Sequence, residues 1–148
     1  MNLVIKAHPL DSGVIDMEAV VTRLAAARGL ADRVLYLDGG VLAVLSRASR
    51  GMVVNNSSAA LSALGFGTPV KVLGRAMFDM AGLTDQVPLD RFWSAPSPPD
   101  ADLFARYRTW VLDHVQINGG FHGPKARRWT VRHLASLFAD ATVSPDQD

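Results

Sequence analysis

Two short polar segments in the first half of the chain carry residue types that bind phosphate. The first contains Ser57 and Ser58, which follow Asn55 and Asn56 and precede an alanine-rich segment with helical spacing. Serine and asparagine are common helix N-caps, because their side chains satisfy free N–H groups of the first turn. The same position can also bind a phosphate or carboxylate. A simple cap and an anion site are therefore both consistent with this segment.

The second segment is His8-Pro9, which ends the first apolar run of the chain, with Lys6 two residues earlier. A single histidine at a strand end usually makes a local hydrogen bond, and a lysine there is usually solvated. The alternative is that His8 donates to a phosphate oxygen and, as a cation, stabilises a departing phosphate. This alternative requires His8 and the two serines to lie at the same edge of a sheet.

Several other chemistries are excluded by the sequence. The chain has no cysteine, which excludes disulfides, cysteine nucleophiles and cysteine-bound zinc. Neither GxGxxG nor GxxxxGK[ST] occurs, and the four histidines lack metal-ligand spacing. We therefore expect no metal and no cofactor. The formal net charge of +1 gives no broad field for nucleic acid, so we expect no nucleic-acid partner.

The size and composition of the chain indicate one folded domain. Its 148 residues are 49% hydrophobic and 20% charged, which is not typical of a disordered protein. No segment reaches the ~20 apolar residues that cross a bilayer. The N-terminal apolar run is also too short for a signal peptide. We therefore expect no transmembrane segment and a cytoplasmic location.

Strands and helices are predicted to alternate over about the first 75 residues. Four apolar runs indicate strands at residues 3–5, 34–37, 52–54 and 69–73, with helical spacing between them. Because these runs are apolar at consecutive positions, they predict a parallel sheet covered by helices, which is a Rossmann-like α/β fold. In such sheets, ligands bind beyond the carboxyl ends of the strands. The polar segments and Gly74 all follow predicted strands.

The second half of the chain has a different pattern. Residues 76–99 are rich in proline and loop-forming residues, and helical spacing returns at about 100–115 and 125–138. We interpret residues 1–140 as a single domain, with an α/β core over about 1–75 and a loop-rich, helical part over about 76–140. Residues 141–148 are predicted to form a disordered tail.

Several motifs occur in an order and spacing that are fairly specific to one family. They are KAHPLD at 6–11, NNSSAALSAL at 55–64, GTPV at 67–70, LGRAMFD at 73–79, GLT at 82–84, LDRFW at 89–93 and QING at 116–119. On these motifs, the chain resembles the capsule polysaccharide KpsS/KpsC family over roughly residues 4 to 122. The resemblance implies a β-Kdo transferase of the GT-B arrangement, in which two Rossmann-like halves form the enzyme.

The resemblance also implies a donor substrate of the CMP-Kdo type. Enzymes that use CMP-activated acid sugars share an HP motif and a Ser-Ser or Ser-Thr motif, and both hold the nucleotide phosphate. His8 and Pro9 match the first motif, and Ser57 and Ser58 match the second. His8 is the implied catalytic residue, which stabilises the leaving phosphate. The implied nucleotide-binding set is Lys6, His8, Pro9, Asn56, Ser57, Ser58 and Gly74, with Gln116 and Asn118 as secondary positions.

The chain departs from the resembled family in two ways. The family's acceptor-binding half, which supplies the general base, precedes the HP motif, whereas only seven residues precede His8 here. The chain therefore resembles the C-terminal, donor-binding half alone, and its activity as an isolated enzyme is left open. Phe78 and His122 also stand where the family tends to have tyrosine.

The resemblance implies partners as well: a missing N-terminal half or partner chain, a lipid-linked glycan acceptor and a peripheral position at the inner membrane. Two alternatives are compatible with the same residues. The first is a UDP-sugar-binding GT-B epimerase or transferase, because these also place a His-Pro pair and a serine-rich helix start at one sheet edge. The second is a non-catalytic or truncated module.

Overall fold

The computed structural model describes residues 1–117 and 119–141, which form a mixed α/β structure. The elements are β1 (Leu3–Lys6), α1 (Met17–Ala26), β2 (Val34–Leu37), α2 (Leu42–Ala48), β3 (Met52–Val54), α3 (Ala59–Gly65), β4 (Val70–Val72), α4 (Leu89–Phe92), α5 (Ala101–His114) and α6 (Pro124–Ala141). All four predicted strands are present, and each end lies within one residue of its predicted position. The predicted tail lies outside the described residues, except for residue 141, which ends α6.

The strands pair in parallel, as predicted, but in two separate pairs. β1 pairs with β2, and β3 pairs with β4, each as a two-stranded sheet. The prediction of one continuous parallel sheet is therefore wrong for the described residues. α1 packs on β2, and α3 packs on β3 and β4, whereas α2, which links the two pairs, packs mainly on α3. Because α2 packs mainly on α3, it does not cover both strand pairs, as a linking helix does in a doubly wound sheet.

The β1–β2 pair has one open face. Val4 and Leu35 lie opposite each other and are 45% and 53% exposed. On the other face, Ile5, Val34 and Tyr36 are partly buried. The prediction of strands covered on both sides is therefore also wrong for this pair. A run of apolar residues does not distinguish a strand buried on both faces from one buried on a single face.

The hydrophobic core lies between α3 and the β3–β4 pair. Alanines at two inward positions of α3 allow the helix to approach the strands closely, and Phe104 and Tyr107 of α5 pack against this core. Phe78, where the resembled family tends to have tyrosine, is one of the core residues. The buried core residues are Ala60, Ala63, Leu64, Val70, Val72 and Phe78.

The loop between β4 and α5 is held in place by the buried side chain and backbone of Asp85. Asp85 is 3% exposed, and its carboxylate accepts backbone N–H groups from Val87 at 2.9 Å and Ser97 at 2.8 Å. Its own N–H donates to the Val70 carbonyl at 2.8 Å, and Lys71 Nζ donates to its carbonyl oxygen at 3.1 Å. These bonds fasten the loop to β4.

Helices α1 and α5 both begin at capping aspartates. Asp16 caps α1 and Asp100 caps α5, each accepting a backbone N–H three residues later at 2.9 Å. After α1, Gly29 adopts φ 65°, and the Leu30 N–H donates to the Ala25 carbonyl at 2.9 Å. This is a Schellman-type helix end, which favours glycine because of its positive φ. The glycine at this position is therefore explained by the turn.

Candidate functional site

The carboxyl ends of β3 and β4 meet at Asn55 and Gly74. The Gly74 N–H donates to the Asn55 carbonyl at 2.9 Å, which continues the strand pairing beyond the strands themselves. A Cβ on Gly74 would lie 2.9 Å from that carbonyl oxygen and against the Asn55 side chain, so a larger residue would displace Asn55. Asn56, Ser57 and Ser58 follow directly along the chain. The structure therefore places Gly74 beside the segment that carries the predicted serine motif.

Ser57 and Ser58 are exposed at the start of α3. Ser57 Oγ accepts from the Ala59 N–H at 3.3 Å, which leaves its hydroxyl hydrogen able to donate. Ser58 is the N-cap residue, yet its side chain makes no capping hydrogen bond. A simple cap therefore accounts for the Ser57 oxygen but not for Ser58. Because α3 has only seven residues, the hydroxyls would be the main donors to an anion, rather than the helix dipole.

His8 is exposed just beyond β1. Its Nδ1 accepts from the Leu10 N–H at 3.1 Å, and its carbonyl accepts from the Asp11 N–H at 2.9 Å, so residues 8–11 form a turn that includes Pro9. Because Nδ1 is an acceptor, the neutral ring carries its proton on Nε2. The local hydrogen bond expected of a single histidine is thus present, and Nε2–H can still donate to a phosphate oxygen.

Lys6 is less suited to bind an anion than its charge suggests. It is partly buried, and its Nζ donates to the neighbouring Ala7 carbonyl at 3.0 Å. This bond holds the ammonium group close to its own backbone. Lys6 therefore adds positive charge near the end of β1, but part of its donor capacity is already used.

The carboxyl end of the β1–β2 pair is acidic. The pKa of the Tyr36 hydroxyl is raised, first by burial and then by the negative charges of Asp11, Asp38, Glu18 and Asp16. The same charges oppose the approach of a phosphate to His8. An anion would therefore meet less repulsion at the serines, and its contact with His8 would depend on the donor at Nε2.

The two parts of the predicted phosphate site lie on different strand pairs. Among residues 1–117, no hydrogen bond links His8 to Ser57 or Ser58. Of the secondary positions, Gln116 is exposed, and its N–H donates to the Val111 carbonyl at 3.0 Å, which ends α5. Asn118 lies outside the described residues.

Two grooves in the described structure lie away from these residues. One, of about 690 Å³, is lined by the loop before α6 and its first turns, including Lys125 and Trp129. The other, of about 400 Å³, lies in the loop around Asp85. Neither is lined by His8 or by the serines, and all three of these residues are exposed. Among the described side chains, no three histidines or carboxylates group closely enough to hold a metal ion.

A polar network in the loop after β4 was not predicted from the sequence. Thr84 Oγ1 donates to Asp79 Oδ1 at 2.6 Å. Gln86 Nε2 donates to the same carboxylate at 3.2 Å and to Thr84 Oγ1 at 2.9 Å. Asp79 and Thr84 both belong to motifs that carry the family resemblance. These two motifs were the sequence feature from which the network could have been predicted. The network holds the loop that forms one wall of the smaller groove.

These features together define a mixed α/β protein with small parallel sheets, flanking helices and an exposed polar segment after each of β1 and β3. None of the helices in the described part of the chain combines the length and apolar character that crossing a bilayer requires.

Comparison with known proteins assigns the chain to a family. The profile of the capsule polysaccharide biosynthesis protein family matches residues 1–122. The chain is 45% identical over 122 residues to the capsule polysaccharide modification protein LipB of Neisseria meningitidis serogroup A, covering 82% of this chain and 29% of LipB. It is 38% identical over 120 residues to the capsule polysaccharide export protein KpsS of Escherichia coli, covering 81% of this chain and 31% of KpsS. The chain therefore belongs to the capsule polysaccharide biosynthesis family.

The comparisons also define what the chain shares with these relatives. It spans less than a third of the length of LipB or KpsS. The matched region contains both predicted motifs and ends before α6. No solved structure matches the chain.

Proposed function

We propose that this chain binds the CMP-Kdo donor of a β-Kdo glycosyltransferase in capsule polysaccharide biosynthesis. Family membership supports the pathway. The observation that carries the donor site is the exposed Ser58 hydroxyl, which makes no capping bond beside the close contact of Asn55 with Gly74. A serine that does not cap its helix is able to donate to a ligand. The sugar nucleotide is the ligand that the family resemblance implies.

In this proposal, the residues act on the phosphate of the donor. The hydroxyls of Ser57 and Ser58 donate to its oxygens. Gly74 has no side chain, so its backbone can lie close to Asn55 beside these serines. His8 is the proposed catalytic residue and donates through Nε2–H. Negative charge grows on the phosphate as the bond to the sugar breaks, so these donors stabilise the transition state more than the bound substrate.

The acceptor and its general base are proposed to belong to another part of the enzyme. The relatives are more than three times as long as the region they share with this chain. An acceptor-binding half, from a partner chain or a further segment, would bring the lipid-linked glycan hydroxyl to the donor. The isolated chain is then expected to bind the nucleotide without transferring sugar.

A nucleotide titration tests the donor site. CMP is expected to bind and to raise the melting temperature, and the double variant Ser57→Ala/Ser58→Ala is expected to weaken CMP binding by at least about tenfold, because hydrogen bonds to a charged group are lost. Ser94→Ala/Ser136→Ala, which removes two exposed hydroxyls elsewhere, is the matched control and should bind CMP normally. Unchanged affinity in the Ser57/Ser58 variant would refute the assigned site.

Competition between nucleotides tests which nucleobase the site prefers. UDP is expected to bind more weakly than CMP, and both are measured by calorimetry on the same preparation. Clearly tighter binding of UDP would indicate that the donor is a UDP-sugar rather than CMP-Kdo. Binding of neither nucleotide by a folded monomer would instead favour a non-catalytic module.

A further inference from the structure

Helix α6 carries large apolar side chains on an exposed face. Val131 is 63% exposed and Phe138 is 69% exposed. They are seven residues apart, with the exposed Ala135 four residues after Val131, so the three lie on one stripe of the helix. Val131 and Phe138 therefore leave apolar surface without cover on this stripe. Trp129 and Leu137, 54% and 50% exposed, lie on other sides of the helix.

Arginines border this stripe. Arg127 lies one turn before Val131 on the same stripe, and Arg128 and Arg132 form the adjacent row. All three are exposed, and no acidic residue occurs between residues 124 and 139. Their charge along this helix is therefore not offset locally. We define the arginine–apolar face by its exposed members, Arg127, Arg128, Val131, Arg132 and Phe138.

A different stripe attaches α6 to the rest of the chain. Thr130 is buried, and its Oγ1 accepts from the Gly120 N–H at 2.9 Å and donates to the Ala126 carbonyl at 3.0 Å. Ala126 and Leu134, one turn on either side, are partly buried. This stripe seats the helix on the preceding loop. The arginine–apolar face lies about a third of a turn further round and is uncovered within the described residues.

We propose that α6 binds an anionic lipid surface through its arginine–apolar face. Val131 and Phe138 would enter the boundary between headgroups and acyl chains, while the three arginines contact lipid phosphates. An acidic protein or a nucleic acid would satisfy the arginines but would not require Phe138 among them. The face lies beyond the region matched by the family profile, and the proposal does not depend on nucleotide binding.

Co-sedimentation with vesicles tests whether the arginines of the arginine–apolar face contribute to lipid binding. The full chain is expected to pellet with phosphatidylcholine vesicles that contain 30% phosphatidylglycerol, and not with phosphatidylcholine alone. Arg127→Gln/Arg128→Gln/Arg132→Gln is expected to lower the partition coefficient by about fivefold for each arginine, or about 100-fold in total. Arg23→Gln/Arg106→Gln/Arg108→Gln removes the same charge from exposed positions on other helices and is the matched control. Equal losses in both variants, or no pelleting of the original chain, would overturn the proposal.

A second pair of variants tests the apolar part of the face. Val131→Ser/Phe138→Ser is expected to reduce pelleting with the anionic vesicles by at least about tenfold, because the inserted apolar surface is lost. Val41→Ser/Val44→Ser, at equally exposed sites on and beside α2, should bind as the original chain does. If Val131→Ser/Phe138→Ser instead converts a dimer to a monomer without lipid and leaves pelleting unchanged, the face is a contact between copies and the lipid proposal is wrong. CMP affinity, measured on the same variants, should not change.

Discussion

Tyr107 places a polar group against the hydrophobic core. It packs against the core from α5, and its hydroxyl is buried without a hydrogen-bond partner among the described residues. Burial raises the pKa of this hydroxyl. An unsatisfied buried hydroxyl lowers stability by about 1–3 kcal/mol relative to a satisfied one. Phenylalanine has the same ring without this cost.

We expect Tyr107→Phe to raise the free energy of unfolding by about 1 kcal/mol at pH 8, measured by urea denaturation. A second effect is expected at high pH. Because the folded pKa is raised, the unfolded tyrosine loses its proton first, so the native state loses stability as pH rises through and above about 10. Tyr107→Phe should remove part of this alkaline loss.

Tyr36→Phe is the control for this prediction. The pKa of Tyr36 is also raised, by burial and by nearby carboxylates, but its hydroxyl is not among the buried groups without a partner. We therefore expect it to reduce the alkaline loss without a gain at pH 8. A lower stability of Tyr107→Phe at pH 8 would show that the Tyr107 hydroxyl does have a partner.

At the residue scale, local chemistry was predictable and long-range burial was not. His8 and Ser57 each accept a backbone N–H from two residues later, and the sequence shows those neighbours. The buried Asp85 was not predicted, because its partner Ser97 lies twelve residues away and Val70 lies on another element. Only the folded chain brings these groups together.

At the scale of elements, Asp85 connects the loop after β4 to the core. Asp85→Asn is expected to lower the free energy of unfolding by about 1–3 kcal/mol, because asparagine has one oxygen and the Val87 or Ser97 N–H would lose its acceptor. Urea denaturation at pH 7 measures this change. Asp113→Asn, at an exposed position on α5, should stay within about 0.5 kcal/mol of the original chain. An equal, small effect in both variants would contradict the anchoring role of Asp85.

The order of elements was predictable because each strand is a compact apolar run bounded by glycine, proline or polar residues. Their parallel pairing also followed from the alternation of strands with helices. The continuity of the sheet was not predictable, because it depends on which surface α2 covers. That helix has apolar residues on more than one side, and in the structure it packs mainly on α3.

Within the described residues, uncovered apolar side chains are unevenly distributed. They occur on the open face of β1–β2 and on the arginine–apolar face of α6. The core, in contrast, is concentrated around α3 and the β3–β4 pair. Local stability should therefore be uneven, and lowest where apolar side chains lack cover.

Hydrogen exchange followed by mass spectrometry tests both this unevenness and the shared phosphate site. Peptides that cover Leu3–Lys6 and Val34–Leu37 are expected to exchange faster than those that cover Ala59–Gly65 and Val70–Val72, because the second group surrounds the core. Uniform protection across both strand pairs would contradict this expectation.

Hydrogen exchange measured in the presence of CMP tests whether one nucleotide contacts both strand pairs. If His8 and the serines bind one phosphate, CMP should slow exchange in the turn at residues 8–11 and at residues 57–60 together, with the same concentration dependence. The shared concentration dependence is the decisive part, because it reports one binding event rather than two. Protection confined to residues 57–60 would place the nucleotide on β3–β4 alone. In that case the acidic surroundings of Tyr36 would explain why His8 is not used, and its proposed catalytic role would be wrong.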